Sequence, residues 1–150
     1  MAFPPTRRAE VGRLVVGRLV VGDEPLIFTT RGCWHNPSPD RGRVIGVADV
    51  TSPVTVYDKP VEIAGREFTR GCDIAARRLA PLREGVELAP LVPRLEAFPD
   101  GHGWGIRLRR PLLELPPADA SLVRHELSEI ARDPFRTRQA YLDRGARARA

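Results

Sequence analysis

Apolar residues in this chain occur in short runs that turn-forming residues separate. Residues 25–30 and 44–51 are rich in apolar and β-branched side chains, and this pattern predicts two buried strands. Residues 61–66 predict a hairpin, and residues 111–115 predict the last strand. Residues 68–82 fit either strand alternation or part of a helix, and we favour the strand. The pattern therefore predicts a protein built from several short strands.

Two segments have the apolar period of a helix. In residues 6–19 apolar side chains recur at positions i, i+3, i+4 and i+8, and Thr6 can cap the first turn. The pentapeptide VGRLV occurs twice in tandem within this segment, and two copies do not predict a repeat architecture. Residues 118–132 follow two prolines and carry a second apolar face. A short helix is predicted at residues 88–95 and a tight turn at residues 106–110.

The length and composition fit one compact domain. The chain has 150 residues, of which 42 % are hydrophobic, and a domain of this size buries enough surface to fold without disulfides or a structural metal. No apolar run approaches the roughly 20 residues that a transmembrane helix needs, and the first residues lack the apolar region of a secretory signal. We therefore expect a cytoplasmic protein with no membrane partner.

The positive charge is concentrated in the last part of the sequence. Lys and Arg total 24 against 19 Asp and Glu, a net charge of +5; residues 132–150 hold six Arg and two Asp, which leaves about +1 for the remainder. All basic residues except Lys59 are arginine, whose guanidinium binds phosphate through paired hydrogen bonds. Codon bias in a GC-rich genome gives the same composition without any nucleic-acid partner. We expect residues 1–131 to form the domain and residues 132–150 a basic, flexible tail.

The order of the segments carries further information. A VGD turn at residues 21–23 leads into an apolar strand, a Thr-Arg-Gly loop and the strand GRVIGVADV of residues 42–50. In the second half, a short helix is followed by GWGIRLRRPLLEL of residues 103–115 and by a terminal helix that contains Asp119. Over residues 7–127 the chain resembles the EVE domain of the PUA-like superfamily.

The resemblance implies an α+β fold, in which a PUA-like, partly open β-barrel of five or six mixed strands is flanked by short helices. It also implies a small nucleic-acid-binding module whose pocket recognises a base, often a modified one, in DNA or RNA. Members of the family open with a strand before the first helix, whereas this chain passes almost directly into the helix. We expect that first strand to be missing, with Met1 an internal methionine of a longer reading frame. The alternative is an incomplete sheet whose open edge pairs with another chain.

A pocket that recognises a base needs an aromatic surface for stacking and polar groups for the base edge. Trp34 and Trp104, in two separate loops, are predicted to stack on the base, and Thr30 and Asn36 to bind its polar edge. Three arginines in or beside these loops are predicted to contact phosphate: Arg31, Arg107 and Arg109. For Trp104 the alternative is a core residue between two glycines that allow close packing.

The sequence lacks the motifs that predict catalysis or a cofactor. It has no GxSxG, GxxxxGKS/T or HExxH motif. Cys33, His35 and Cys72 do not have a recognised zinc spacing, so we expect neither a metal nor a cofactor. Asp23 and Glu24 lie side by side in a turn, where we expect both carboxylates to be solvated.

A binding module is therefore favoured over an enzyme, and no catalytic residue is assigned. One alternative is a hydrolase acting on a modified nucleoside, for which His35 and Asp49 are the only pair that could serve as general base and partner. Another is a protein-interaction subunit that pairs through an open sheet edge. The expected partner is DNA or RNA, and the expected state is a monomer or a weak dimer.

Overall fold

The computed structural model describes residues 2–3, 19–30, 42–63, 66–101, 103–108 and 112–147. Within these ranges the chain forms seven strands, one turn of 3-10 helix and three α-helices. The strands are β1 (Ala2–Phe3), β2 (Leu26–Thr29), β3 (Arg43–Val50), β4 (Thr55–Ile63), β5 (Arg66–Gly71), β6 (Ile74–Leu79) and β7 (Val86–Glu87). The helices are α1 (Trp104–Arg107), α2 (Pro117–Ile130) and α3 (Pro134–Arg147). The fold class is α+β, as the sequence predicts.

The strands form two antiparallel sheets. One sheet has the order β1-β5-β4, and the other has the order β2-β3-β6, with β7 paired to the start of β3. Every described pairing is antiparallel, so the predicted mixture of parallel and antiparallel strands is wrong. A parallel pair needs a long crossover connection, whereas only two residues separate β4 from β5 in the sequence. Within the described ranges the two sheets do not close into a barrel.

A short strand, β1, precedes the segment predicted as the first helix, and the absence of the family's opening strand stays a prediction. Strand β1 pairs with β5, with Ala2 opposite Gly71 and Phe3 opposite Arg70. Strand β1 was not predicted, because a two-residue strand has no alternation to detect. The helix predicted over residues 6–19 lies outside the described ranges, apart from Leu19.

Apolar runs located most of the strands. Strands β2 and β3 confirm the strands predicted at residues 25–30 and 44–51, and β4 with β5 confirms the hairpin. Within residues 68–82 the strand interpretation is confirmed as far as Leu79, in β5 and β6, whereas residues 80–82 lie outside the strands. The last predicted strand is wrong, because residues 112–115 pair with no described strand. Leu113 of this segment packs against the main core.

The two long helices differ in how well the sequence predicts them. Helix α2 confirms the helix predicted over residues 118–132, whereas α3 occupies the segment that was expected to be frayed. Helix α3 is too polar to be recognised from its pattern, and contacts of the helix and of the residues just before it hold it to the sheet. The Tyr141 hydroxyl donates to the carbonyl oxygen of Ala80 at 2.9 Å, and Arg132 and Leu79 exchange backbone hydrogen bonds of 3.0 Å. The domain boundary proposed before this helix stays a prediction.

The main core lies between α2, β3 and the segment that follows β7. Val123 and Leu127 of α2 are buried together with Val44 and Val47 of β3. The short helix predicted at residues 88–95 is a single 3-10 turn, Val92–Arg94, and its apolar neighbours complete this core. None of the described helices combines the length and apolar composition that crossing a bilayer requires.

A buried carboxylate fixes the position of α2. Asp119, in the first turn of the helix, is 2 % exposed and accepts hydrogen bonds from the backbone N–H groups of Glu96 at 3.0 Å and Ala97 at 2.8 Å. Buried polar groups are costly unless they are paired, so these bonds couple the start of α2 to the preceding segment. The rest of α2 then lies across the second sheet.

Candidate functional site

A cleft of about 430 Å³ lies between α2 and β6. Its floor is made of apolar side chains and its rim of charged ones. The lining residues are Glu24, Val47, Arg77, Arg78, Arg124, Leu127, Ser128 and Ala131. Because three of them are arginines that come from two different elements, we refer to it as the arginine cleft.

An irregularity in β6 brings two consecutive arginines into this cleft. In the pairing of β3 with β6, Val47 is opposite Arg78 and Ala48 is opposite Ala76, which leaves Arg77 as an extra residue. Successive side chains of a regular strand point to opposite faces of the sheet, and a β-bulge interrupts that alternation. Arg77 and Arg78 therefore line the same cleft rather than opposite faces of the sheet.

The carboxylate of Glu24 joins the two sides of the cleft. One of its oxygens contacts the guanidinium of Arg77 on β6, and the other accepts a hydrogen bond from Arg124 on α2. Arg77 also binds Asp49 of β3, with 3.1 Å between its Nε and the carboxylate Oδ2. Glu24 is thus held between two guanidinium groups, and its side chain is only 24 % exposed.

The turn before β2 positions this carboxylate. Asp23 accepts a hydrogen bond from the backbone N–H of Val20 at 2.8 Å. The backbone on either side of Glu24 is bonded to β3, through Val50 N–H to Asp23 C=O at 2.9 Å and Ala48 N–H to Pro25 C=O at 3.1 Å. The expectation that Asp23 and Glu24 are merely solvated is therefore wrong. Asp23 closes the turn, and Glu24 reaches into the cleft.

The charge that lines the cleft is positive. Three arginines and one glutamate give it a net charge of +2. Arg78 is exposed, and it has no carboxylate partner among the residues that the structure describes. An anion that enters the cleft would therefore find one guanidinium unengaged and two that are bound to Glu24.

Trp104 lies outside the arginine cleft. It is the first residue of α1 and is half-buried, and its ring meets that of buried Phe98 edge to face, with 6.2 Å between the centroids. It also packs on the main core. This is the arrangement expected of a core residue, which was the alternative to base stacking, and stacking by Trp104 stays a prediction.

Two other predicted site residues are also described. Thr30 is exposed directly after β2. Arg107, at the end of α1, donates a hydrogen bond to the carbonyl oxygen of Ala97 at 2.9 Å and lies 4.0 Å from a carboxylate oxygen of Asp100. Neither residue lines the arginine cleft.

The remaining predicted site residues fall outside the described ranges. They are Arg31, Trp34, Asn36 and Arg109. The same is true of His35, the proposed catalytic partner of Asp49, so neither the aromatic pocket nor that pair is tested. Asp49 itself is engaged by Arg77.

Sequence reasoning missed Arg77, Arg78, Arg124 and Glu24. The Arg-Arg pair was visible within a predicted strand, but strict alternation would have separated the two side chains. The contact between Glu24 and Arg124 joins residues 100 positions apart, and no local sequence pattern predicts it. A carboxylate directly before a buried strand was the one available signal for Glu24.

Among the side chains that are described, no group of three His, Cys, Asp or Glu residues is placed to hold a metal ion. In comparisons with known proteins, no family model matches this chain, and no curated protein matches it. The resemblance to the EVE domain therefore rests on the sequence segments given above and stays a prediction.

Proposed function

We propose that this protein binds nucleic acid and that the arginine cleft receives one nucleotide of a single strand. The observation that carries the proposal is the convergence of Arg77, Arg78 and Arg124 on one apolar floor. A guanidinium donates paired hydrogen bonds to phosphate oxygens, and its planar face stacks on a base. The three arginines therefore supply both kinds of contact that a nucleotide needs.

The shape of the cleft favours a single strand over a duplex. Its floor, formed by Val47, Leu127 and Ala131, is apolar but almost fully buried already, so the arginine side chains offer a base most of its contact surface. The cleft is open to solvent, and its volume of about 430 Å³ is within the range of small-ligand sites. In a duplex the bases are stacked and paired, and extracting one has an energetic cost. We therefore expect single strands to bind more tightly than a duplex of the same sequence.

Recognition of a modified base is a separate part of the proposal. It depends on the predicted pocket of Thr30, Trp34, Asn36 and Trp104, with Arg31, Arg107 and Arg109 on phosphate. The resemblance to the EVE domain supports it, whereas the geometry of the arginine cleft does not depend on it. The two sites are tested separately, with variants of Trp34 for the aromatic pocket and of Arg78 for the cleft.

The alternative of a partner chain that adds to a sheet edge has less support. Strand β4 is an outer strand and exposes Val56 and Val61. However, residues 57–60 of this strand lie opposite a single residue of β5, and they include Lys59 and Pro60. Charge, proline and irregular pairing are features that protect an edge from strand addition.

Fluorescence anisotropy tests the proposed function. The protein is titrated into labelled DNA and RNA strands of about 12 nucleotides, and into the matching DNA duplex, at about 50 and 200 mM salt. We expect saturable binding to single strands that weakens as salt rises, with a higher Kd for the duplex. A protein that melts cooperatively and yet binds none of these ligands at the lower salt would contradict the proposal.

A further inference from the structure

The carboxylate of Glu24 occupies the place that an anionic ligand would take in the arginine cleft. Its two oxygens each contact a different guanidinium, Arg77 on one side and Arg124 on the other. Two oxygens of a phosphodiester can make the same pair of contacts, since guanidinium groups bind carboxylate and phosphate in similar geometry. The protein therefore supplies an internal competitor for its own phosphate-binding groups.

The surroundings of Glu24 allow its side chain to leave without disturbing the backbone. The residues on either side of it, Asp23 and Pro25, are hydrogen-bonded to β3 through their carbonyl groups. The backbone is thus fixed, whereas the ion pairs lie at the rim, where both arginines are about half exposed. Ion pairs in contact with water contribute little to stability, so a stronger anion can replace them. Arg77 also pairs with Asp49, and this ion pair does not depend on the position of the Glu24 side chain.

We propose that Glu24 regulates the arginine cleft by competing with the nucleic-acid phosphate for Arg77 and Arg124. This inference rests on the proposed function. A phosphodiester displaces the Glu24 carboxylate on binding, and the carboxylate returns when the strand dissociates. Only an anion that gains further contacts, such as those with Arg78 and the apolar floor, displaces it. Glu24 thus lowers the affinity of the cleft for simple anions more than for a nucleotide strand.

The test compares Glu24→Gln with Glu87→Gln in the anisotropy assay on the DNA single strand. Both substitutions remove one negative charge. Glu87 is the control because it also forms an ion pair with an arginine, Arg43 at 2.8 Å, but does not line the cleft. We expect Glu24→Gln to bind roughly three- to tenfold more tightly than the wild type, the size expected when exposed ion pairs are removed from competition. The slope of log Kd against log salt should stay close to that of the wild type, because the phosphodiester contacts Arg77 and Arg124 in both complexes. Glu87→Gln should match the wild type.

The outcomes separate this inference from the proposed function. If Arg78→Ala weakens binding and Glu24→Gln binds no more tightly than the wild type, Glu24 is a structural tether and the inference is wrong, whereas the function stands. If neither the wild type nor Glu24→Gln binds the strand, the proposed function itself is wrong. Should Glu24→Gln fail to melt cooperatively, Glu24→Asp replaces it. The aspartate side chain is one methylene shorter and cannot reach both arginines, so we expect Glu24→Asp to gain about twofold in affinity. No gain in affinity would overturn the inference.

Discussion

Arg77 and Arg78 are consecutive in the sequence and line the same cleft, because Arg77 is the extra residue of a bulge in β6. Without the bulge, the two guanidinium groups would lie on opposite faces of the sheet. Bulges commonly redirect side chains next to functional sites. Here the bulge lies across the cleft from α2, which adds Arg124 from the opposite side, so one local irregularity brings three arginines to the same cleft.

The ion pairs in the cleft are expected to add little to folding stability. Replacing Arg77 with Ala removes the contacts with Glu24 and Asp49, but the guanidinium is half exposed. Pairs of this kind contribute about 0.2–1 kcal/mol each, so we expect Arg77→Ala to lower the free energy of unfolding by about 1 kcal/mol or less. Urea denaturation measures this. A loss of more than about 2 kcal/mol would show that Arg77 has a structural role that these contacts do not describe.

The spacing between β3 and β6 depends on Gly46. A Cβ atom at this position would lie 2.8 Å from the backbone oxygen of Arg78 and 3.2 Å from Leu79 Cδ1, so the two strands would have to move apart. We expect Gly46→Ala to destabilise the protein by about 1–3 kcal/mol and to weaken nucleotide binding, because Arg78 is displaced. The control is Gly105→Ala, where a Cβ meets nothing within 4 Å. Equal melting temperatures for the two variants would contradict this account of the β3–β6 spacing.

The sequence predicted the regular elements better than the site they build. Apolar runs located β2 and β3, and the helical period located α2, because these elements bury one face or both. The arginine cleft depends instead on a bulge and on the pairing of Glu24 with Arg124, a contact between distant parts of the chain. Neither leaves a periodic signal, and the same reason explains why the polar helix α3 was missed.

Asp119 is expected to be the most important polar residue for stability. Its two carboxylate oxygens accept the N–H groups of Glu96 and Ala97 in a buried position. Asp119→Ala leaves both donors without a partner, and an unsatisfied buried donor costs about 1–3 kcal/mol, so we expect a loss of roughly 3 kcal/mol in denaturant unfolding. Asp119→Asn keeps one acceptor and should lose about half as much. A loss below about 1 kcal/mol for Asp119→Ala would show that water replaces these bonds.

The position of α3 depends on Tyr141. Its hydroxyl reaches the carbonyl oxygens of Ala80 at 2.9 Å and Pro81 at 3.3 Å. Tyr141→Phe should therefore cost about 1 kcal/mol and speed amide hydrogen exchange throughout α3. The matched control is Leu142→Ala, since Leu142 is the adjacent residue on the same helix and its side chain is 60 % exposed. If Tyr141→Phe leaves exchange in α3 unchanged, other contacts hold the helix to the sheet.

The binding of a DNA single strand by Arg78→Ala and Arg94→Ala tests the central claim most directly. Both variants lose one positive charge from an exposed side chain, but only Arg78 lines the arginine cleft. Measured by anisotropy at about 50 mM salt, Arg78→Ala should bind roughly three- to tenfold more weakly than the wild type, as expected for a lost charge-assisted contact, and Arg94→Ala should stay within about twofold. Equal weakening by the two variants, or no weakening by Arg78→Ala, would show that the protein attracts nucleic acid through its overall charge and that the arginine cleft is not the binding site.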